Sequence, residues 1–209
     1  MYSQTSSRTS FAEAGYAILE VTFAALVAMV LLAGFGTFYL AQQHRLQEQQ
    51  ARLEMLQNAR AAIDTMIREL RSAGRNPHAV DRLAGITVAD ARQVQFTLDL
   101  DGDGTVGGSD ELRGFRQQGA ELQMQTRNGL AGWMPVVDGV SNLAFEYYPK
   151  TANLSDPTTM PLGRTPTADE LASIKTIRIR LTVQKSVGGR TISQTEVGTA
   201  DLRNVLTEG

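Results

Sequence analysis

The sequence predicts an α+β fold in which one long N-terminal helix packs on an antiparallel β-sheet. Three observations lead to this prediction. Residues 21–40 are apolar and uncharged, residues 42–73 repeat apolar side chains at helical spacing, and most later segments alternate apolar and polar residues between glycine-containing turns. With 209 residues, the chain has material for about one globular domain in addition to an anchoring helix.

The apolar run is long enough to cross a membrane. Twenty residues, Val21 to Leu40, contain no charged side chain, and as a helix they would be roughly 30 Å long, the thickness of a bilayer's hydrocarbon core. Glu20 is the one charged residue between Gly15 and Leu40. A carboxylate inside a membrane helix costs on the order of 2.5–3.5 kcal/mol and usually persists because it has a function.

The start of this run, Gly15, Tyr16 and Glu20 with Ala17, Ile18 and Leu19 between them, resembles the processing signal of type IV pilins and type II secretion pseudopilins. The resemblance implies that a prepilin peptidase removes residues 1–15 by cutting the Gly15–Tyr16 bond and that the new N-terminus is methylated. An ordinary secretory signal and a plain signal anchor are the alternatives. The first would have a shorter apolar region followed by a small-x-small cleavage site, which is absent.

The resemblance also implies partners and a location. The protein would sit in the inner membrane as a single-pass protein with its globular domain in the periplasm, and then enter a pilus or pseudopilus that can reach the cell surface. Other pilin or pseudopilin subunits would contact it through the N-terminal helix, where Glu20 would be neutralised by a neighbour's N-terminal amine. Residues 16–41 would form the transmembrane and assembly half of the helix, residues 42–74 its amphipathic half, and residues 75–209 the β-sheet domain.

The amphipathic half of the helix is predicted to end near Ala73, because Gly74 and Pro77 follow. Its apolar stripe, expected to pack on the domain, consists of Leu46, Leu53, Leu56, Ile63, Ile67 and Leu70.

Strand patterns then follow in succession. They cover residues 86–88, 94–100, 111–117, 120–127, 141–148, 175–185 and 191–203, with turns at Gly119, Asn128-Gly129 and Gly188-Gly189. Thr167 to Glu170 has a capping-box pattern and predicts a short helix. The aromatic residues Trp133, Tyr147 and Tyr148 are expected in the core or on a sheet face. The order of these segments, with VDGVSNLAFEYY, KTIRIRLTVQ and a terminal LRN, is similar to PilW-type minor pilins and J-type pseudopilins, whose members help prime filament assembly.

The segment from Asp99 to Asp110, DLDGDGTVGGSD, predicts a calcium loop. Calcium prefers six to eight oxygen ligands, and a twelve-residue loop supplies them from positions one, three, five, seven, nine and twelve, with glycine at six. The predicted ligands are Asp99, Asp101, Asp103, the Thr105 carbonyl, a water at Gly107, and Asp110. The loop resembles those of EF-hands and dockerins, although a strand pattern, not a helix, precedes it. The alternative is an acidic hairpin loop that binds no metal.

Composition excludes several other classes of function. The formal net charge of −2 provides no basic surface for nucleic acid. The chain has no cysteine and two histidines, His44 and His78, so disulfides, thiolate chemistry and a Ser-His-Asp triad are not supported. We therefore expect no enzyme activity. A membrane-anchored periplasmic calcium-binding domain is the alternative from another class.

Overall fold

The computed structural model describes residues 8–75, 85–104, 111–125, 132–149 and 167–203. Two helices and eight strands lie in these ranges. They are α1 (Arg8–Arg71), β1 (Ile86–Ala89), β2 (Gln93–Thr97), β3 (Leu112–Gln118), β4 (Glu121–Gln125), β5 (Trp133–Asp138), β6 (Val140–Pro149), α2 (Ala168–Ser173), β7 (Ile174–Val187) and β8 (Arg190–Asp201). The α+β class predicted from the sequence is confirmed.

The chain divides into two compact units, residues 1–49 and 50–209. In the first unit the described chain is helical, and the described side chains from Ile18 to Leu40 are exposed. From Ile18 onward the helix is long and apolar enough to cross a membrane. A large apolar surface that the chain itself leaves uncovered is typical of a segment whose surroundings are lipid or other helices.

The second unit contains the core, and one face of α1 forms part of it. The structure buries Ile63 and Leu70 as expected, but Leu46 and Leu53 are 52% and 59% exposed, so the predicted leucine stripe is partly wrong. Smaller or more flexible side chains occupy the rest of the buried face. These are Ala51, Met55, Ala59, Ala62 and Met66, and the buried Ala73 follows just after the helix ends. Alanine brings the helix backbone close to the sheets, whereas hydropathy alone favours leucine as the contact residue.

The close approach of α1 to β8 depends on Gly198. A Cβ atom added at Gly198 would lie 2.4 Å from Cγ2 of Ile63 and 2.8 Å from Cδ1 of Ile67. The buried residues Ile192 and Ala200 flank this position on the same strand. Glycine is therefore required here for space, and the helix packs directly on the strand backbone.

The strands form two antiparallel sheets, not one. Five strands pair in the order β1-β2-β3-β4-β5 and three in the order β6-β7-β8. Each predicted strand coincides with a described strand to within a few residues at its ends, but β5 was missed. It contains Pro135 and lacks strict alternation, and proline in a sheet is confined to edges and bulges.

Gly139 is where the chain changes sheets, between β5 and β6. Its φ of 72° lies in the region that favours glycine, and a Cβ atom there would lie 2.6 Å from the carbonyl oxygen of Gln184. The Gly139 carbonyl accepts a hydrogen bond from the Gln184 backbone N–H at 2.7 Å. The turn is thus held against β7, and the chain enters the second sheet immediately after it.

Hydrogen bonds join the two sheets. The Gln117 side chain on β3 accepts from the Leu143 N–H at 3.0 Å, and the Phe145 N–H donates to the Ala91 carbonyl at 2.9 Å. The Tyr147 hydroxyl lies 2.8 Å from the carbonyl oxygen of Asp90 and 3.1 Å from that of Gln93. Tyr147 is 2% exposed and belongs to the core, as its sequence position predicted.

Ion pairs also connect α1 with strands of both sheets. Arg113 on β3 is 3% exposed and pairs with Glu69, Lys185 on β7 lies 3.0 Å from Glu54, and Arg60 lies 3.6 Å from Glu196 on β8. The Glu69–Arg113 pair is the most buried, so removing either partner would leave an uncompensated charge inside the protein.

Local signals for the ends of elements are confirmed. The last turn of α1 is followed by Gly74, whose N–H donates to the Thr97 carbonyl at 2.8 Å. The capping box of α2 is complete, because the Thr167 side chain accepts from the Glu170 N–H and the Glu170 carboxylate accepts from the Thr167 N–H. The predicted turn at Asn128-Gly129 lies outside the described residues.

We expect Gly198→Ala to lower the free energy of unfolding by about 1–3 kcal/mol, because the new methyl group overpacks the contact with Ile63. Combining it with Ile63→Ala should cost less than the sum of the two single changes, since that change removes the clashing Cγ2 atom. Urea unfolding of the four proteins measures this coupling. Strictly additive costs would contradict the close contact.

Burial raises the pKa of the Tyr147 hydroxyl well above its ordinary value, and the negative charge of Asp90 raises it further. Stability from the neutral phenol is therefore fully present below about pH 10 and is lost at higher pH, because the unfolded chain deprotonates first. Tyr147→Phe should cost about 1 kcal/mol at pH 7. The difference between the two proteins should shrink as the pH rises past about 10, measured by urea unfolding across that range. A constant difference would be contrary to this assignment.

Candidate functional site

The predicted processing residues Gly15, Tyr16 and Glu20 all lie on α1, which continues without interruption through them. Tyr16 is 76% exposed, and Glu20 is exposed among apolar side chains that are exposed as well. Residues four apart lie on one face of a helix, one turn from each other. An amine created at Tyr16 would therefore lie one turn from the Glu20 carboxylate.

The hydroxyl groups inside the apolar run bond to the helix itself. Thr22 Oγ1 donates to the Leu19 carbonyl and Thr37 Oγ1 donates to the Gly34 carbonyl, each at 2.9 Å. Polar groups in a membrane must find partners within the protein, because lipid tails offer none. With these two hydroxyls bonded internally, Glu20 is the one strongly polar group of the described run from Ile18 to Leu40.

A cluster of carboxylates forms where the chain leaves β2. The structure brings Asp99, Asp101 and Asp103 together as predicted, and it adds Glu111, so that one oxygen from each lies within 4.8 Å of the others. Two oxygens bound to one calcium ion at 2.3–2.6 Å can be at most roughly 5 Å apart. The four carboxylates are therefore close enough together to reach a single cation of this size. Thr105, Gly107 and Asp110 lie outside the described residues.

Asp99 is the buried member of this carboxylate cluster, with no exposed surface. Its Oδ1 accepts from the Gly102 N–H at 2.6 Å and its Oδ2 accepts from the Gly104 N–H at 3.1 Å. Asp101 Oδ1 accepts from the Asp103 N–H at 3.1 Å. Backbone donors hold the Asp99 and Asp101 carboxylates in place, and a carboxylate oxygen that accepts one hydrogen bond has a second lone pair with which it can bind a cation.

Glu111 is the ligand candidate that sequence reasoning missed, because the twelve-residue pattern ends at Asp110. It is 5% exposed, and its Oε1 accepts from the Leu100 N–H at 3.2 Å. Its position follows from the sheet, since Thr97 pairs with Leu112 and the Leu98 N–H donates to the Glu111 carbonyl at 3.0 Å. The sequence did contain a signal for this residue, because Glu111 directly follows the predicted ligand Asp110.

The carboxylate cluster is tied to the end of α1. The Asp99 N–H donates to the carbonyl of Arg75 at 2.8 Å, one residue after the Gly74–Thr97 bond. A cation in the cluster would thus hold the end of the helix, the end of β2 and the start of β3 together.

The remaining aromatic candidates have structural surroundings. Trp133 lies on the first sheet with the guanidinium of Arg116 4.3 Å from its ring centre. Tyr148 is 3% exposed and donates to Glu146 at 2.9 Å. Trp133 lies on a sheet and Tyr148 is buried, in agreement with the expected core or sheet-face positions, and their strands belong to different sheets, so they do not combine into an aromatic cage.

Comparison with known families adds an independent observation. A family model described as prepilin peptidase-dependent protein B matches residues 46–199. No curated protein matches the chain significantly. The matched range begins after Glu20, so it covers the globular unit and leaves out the processing residues. The same kind of protein is therefore indicated by two separate parts of the chain. These are the motif at residues 15–20 and the family match over residues 46–199.

Proposed function

The chain belongs to the family of prepilin peptidase-dependent protein B, and on this premise we propose that it is a minor pilin of the PilW type. In this proposal it takes part in the assembly or priming of a type IV pilus. The family implies a pilin-like protein that depends on prepilin peptidase. The observation that supports a role in filament assembly is Glu20, exposed on an apolar helix and followed by twenty uncharged residues.

The proposed role is structural, not catalytic, and proceeds in two steps. Cleavage of the Gly15–Tyr16 bond creates an amine one helical turn from Glu20. When α1 moves from lipid into a filament, the Glu20 carboxylate would be buried, and a buried charge without a partner costs several kcal/mol. The amine of a neighbouring subunit neutralises it and sets the axial register, while the apolar side chains exchange lipid contacts for helix contacts.

A second proposal concerns the carboxylate cluster of Asp99, Asp101, Asp103 and Glu111. We propose that it binds calcium, with the loop from Thr105 to Asp110 supplying further oxygens. The chain has no cysteine, and small exported domains are commonly held by disulfides. Calcium would take that stabilising role at the junction of α1, β2 and β3.

We expect Glu20→Ala to leave processing intact and to lower the amount of this subunit in sheared surface filaments by about tenfold or more, because the neighbour's amine loses its partner. Quantitative mass spectrometry should find a methylated peptide beginning at Tyr16 in membranes and filaments. Glu48→Ala, on the same helix, is the control.

The Gly15→Val protein should keep its fifteen leader residues, because the peptidase site is changed. The Gly36→Ala protein, in which the added Cβ meets nothing within 4 Å, is the control and should lose them.

Normal incorporation of the Glu20→Ala protein would contradict the assembly role. Recovery of the processed chain with secretion-system pseudopilins, and not with pilus filaments, would instead indicate the J-type pseudopilin. Full function without processing would favour the membrane-anchored calcium-binding domain.

For calcium, Glu111→Gln is the sharpest change, because the amide keeps an oxygen for the Leu100 N–H but removes the charge. We expect it to weaken calcium binding about tenfold, since affinity depends on ligand charge, as measured by isothermal titration of the full chain in detergent. Calcium at a hundred times its Kd should add about 2.7 kcal/mol to the unfolding free energy of the native chain. Glu121→Gln, on β4, is the matched control. No heat of binding at millimolar calcium would exclude the site.

A further inference from the structure

The strand β8 is an edge of the three-stranded sheet. It pairs with β7 along its whole length, from Arg190 to Asp201, without a register shift. Among the described strands, none lies beside its other side in the sheet order β6-β7-β8. A long, regular edge strand presents a row of unpaired N–H and C=O groups that can accept another strand.

The hairpin turn determines which backbone groups lie on that free side. Gly188 and Gly189 have φ values of 58° and 78°, as a two-residue type I′ turn requires, and Val187 and Arg190 close it. Hydrogen-bonded and non-bonded pairs alternate along an antiparallel ladder. Even-numbered residues of β8 therefore bond to β7, and odd-numbered residues direct their N–H and C=O groups to the free edge. The next even-numbered residue after the strand agrees with this pattern, because the Leu202 N–H donates to the Lys175 carbonyl at 2.8 Å.

The free edge consists of Thr191, Ser193, Thr195, Val197 and Thr199, and the acidic residue Asp201 lies at its end. All five side chains are exposed, and Val197 is 53% exposed. Within the described ranges, no backbone hydrogen bond reaches these five residues from the free side. The opposite face of β8 is covered, because Gly198 and its even-numbered neighbours pack toward α1.

The other described edges are protected. β1 has four residues and a register shift. β5 contains Pro135 and lies next to a register shift in its pairing with β4. β6 donates backbone N–H groups to the first sheet, from Val140 to the Ala120 carbonyl and from Phe145 to the Ala91 carbonyl. Proline, bulges, short strands and covered edges are the usual ways of preventing strand addition, and β8 has none of them.

We propose that the free edge of β8 pairs antiparallel with β8 of a second copy of this chain, joining two three-stranded sheets into one of six strands. The five edge residues from Thr191 to Thr199 are uncharged, so no like charges oppose each other among them. A register centred on Thr195 places Thr191 opposite Thr199 of the partner subunit and Ser193 opposite Val197 of the partner subunit. Hydroxyl and β-branched pairs of this kind stabilise neighbouring strands.

The ends of the strand select the antiparallel arrangement. With this register, Asp201 of one copy lies opposite Gly189 of the partner subunit at both ends of the interface, so the two Asp201 carboxylates are far apart. A parallel arrangement would instead bring the two Asp201 carboxylates together, and like charges side by side are destabilising. The interface is isologous, because the same surface of each copy forms it.

The absence of cysteine from the chain allows a direct test with single-cysteine variants of the full chain in detergent. At a hydrogen-bonded antiparallel pair the Cα atoms are about 5.5 Å apart, within the range of a disulfide. Thr195→Cys should form a disulfide dimer on mild oxidation. Ser193→Cys and Val197→Cys should form little dimer separately and a mixed dimer together. Thr182→Cys, opposite Thr195 on the central strand β7, is the matched control.

Blocking variants test the same interface without a disulfide. Val197→Pro removes an N–H group that points away from β7, so no bond of the β7–β8 ladder is lost. Each dimer would lose two hydrogen bonds, which should weaken dimerisation by about tenfold, measured by dilution in analytical ultracentrifugation. Val197→Lys, a charge at the edge, should have the same effect, and Val197→Thr should not. Thermal melting establishes whether each variant is folded. If the Val197→Pro protein does not fold, the dimerisation of the Val197→Lys protein decides the test.

Equal disulfide yields for Thr195→Cys and Thr182→Cys would overturn the proposal, as would dimerisation that neither blocking variant weakens. Cross-linking of Thr195→Cys in membranes exclusively to a different protein would replace self-pairing with another partner strand. The proposal does not rest on the assembly role, so Glu20→Ala should leave the Thr195→Cys dimer unchanged.

Discussion

The packing of one face of α1 against both sheets is the contact on which the globular unit depends. A chain without cysteine has no disulfide to hold its strands, and buried side chains of α1 lie in one core cluster with those of both sheets. Alanine and glycine make this packing possible, because Gly198 leaves room for Ile63 and the buried alanines of α1 bring the helix backbone close to the strands. The ion pair of Arg113 with Glu69 then ties the first sheet to the same helix.

This arrangement explains why the carboxylate cluster lies where it does. The end of α1 is bonded to the end of β2 through Gly74 and Thr97, and the next bond along, from the Asp99 N–H to Arg75, positions the first carboxylate. Asp99 is buried because it lies at this junction, and Glu111 enters the cluster because β3 starts opposite the end of β2. A cation bound there would stabilise the junction that the helix and both strands share.

The two parts of the chain carry different parts of its role. The apolar half of α1 carries Gly15, Tyr16 and Glu20, to which we assign processing and contacts with other subunits as a proposal. The globular unit carries the family match, over residues 46–199, together with the carboxylate cluster and the free edge of β8. Contacts made by the two parts can therefore be changed separately by substitution, which is what the Glu20→Ala and Thr195→Cys comparisons use.

Local patterns in the sequence determined the elements, whereas contacts between distant residues decided how the elements meet. The apolar run, the helix stop at Gly74, the capping box at Thr167 and most strands follow from periodicity and turn residues a few positions apart, and so do Asp99, Asp101 and Asp103. Tertiary structure decided the division into two sheets at Gly139, the strand β5 despite Pro135, the alanine-rich contact face of α1 and the placement of Glu111. It also decided which edge of β8 is free. These features depend on strand pairing and on the space between backbones, and neither is encoded in the spacing of residues along a single element.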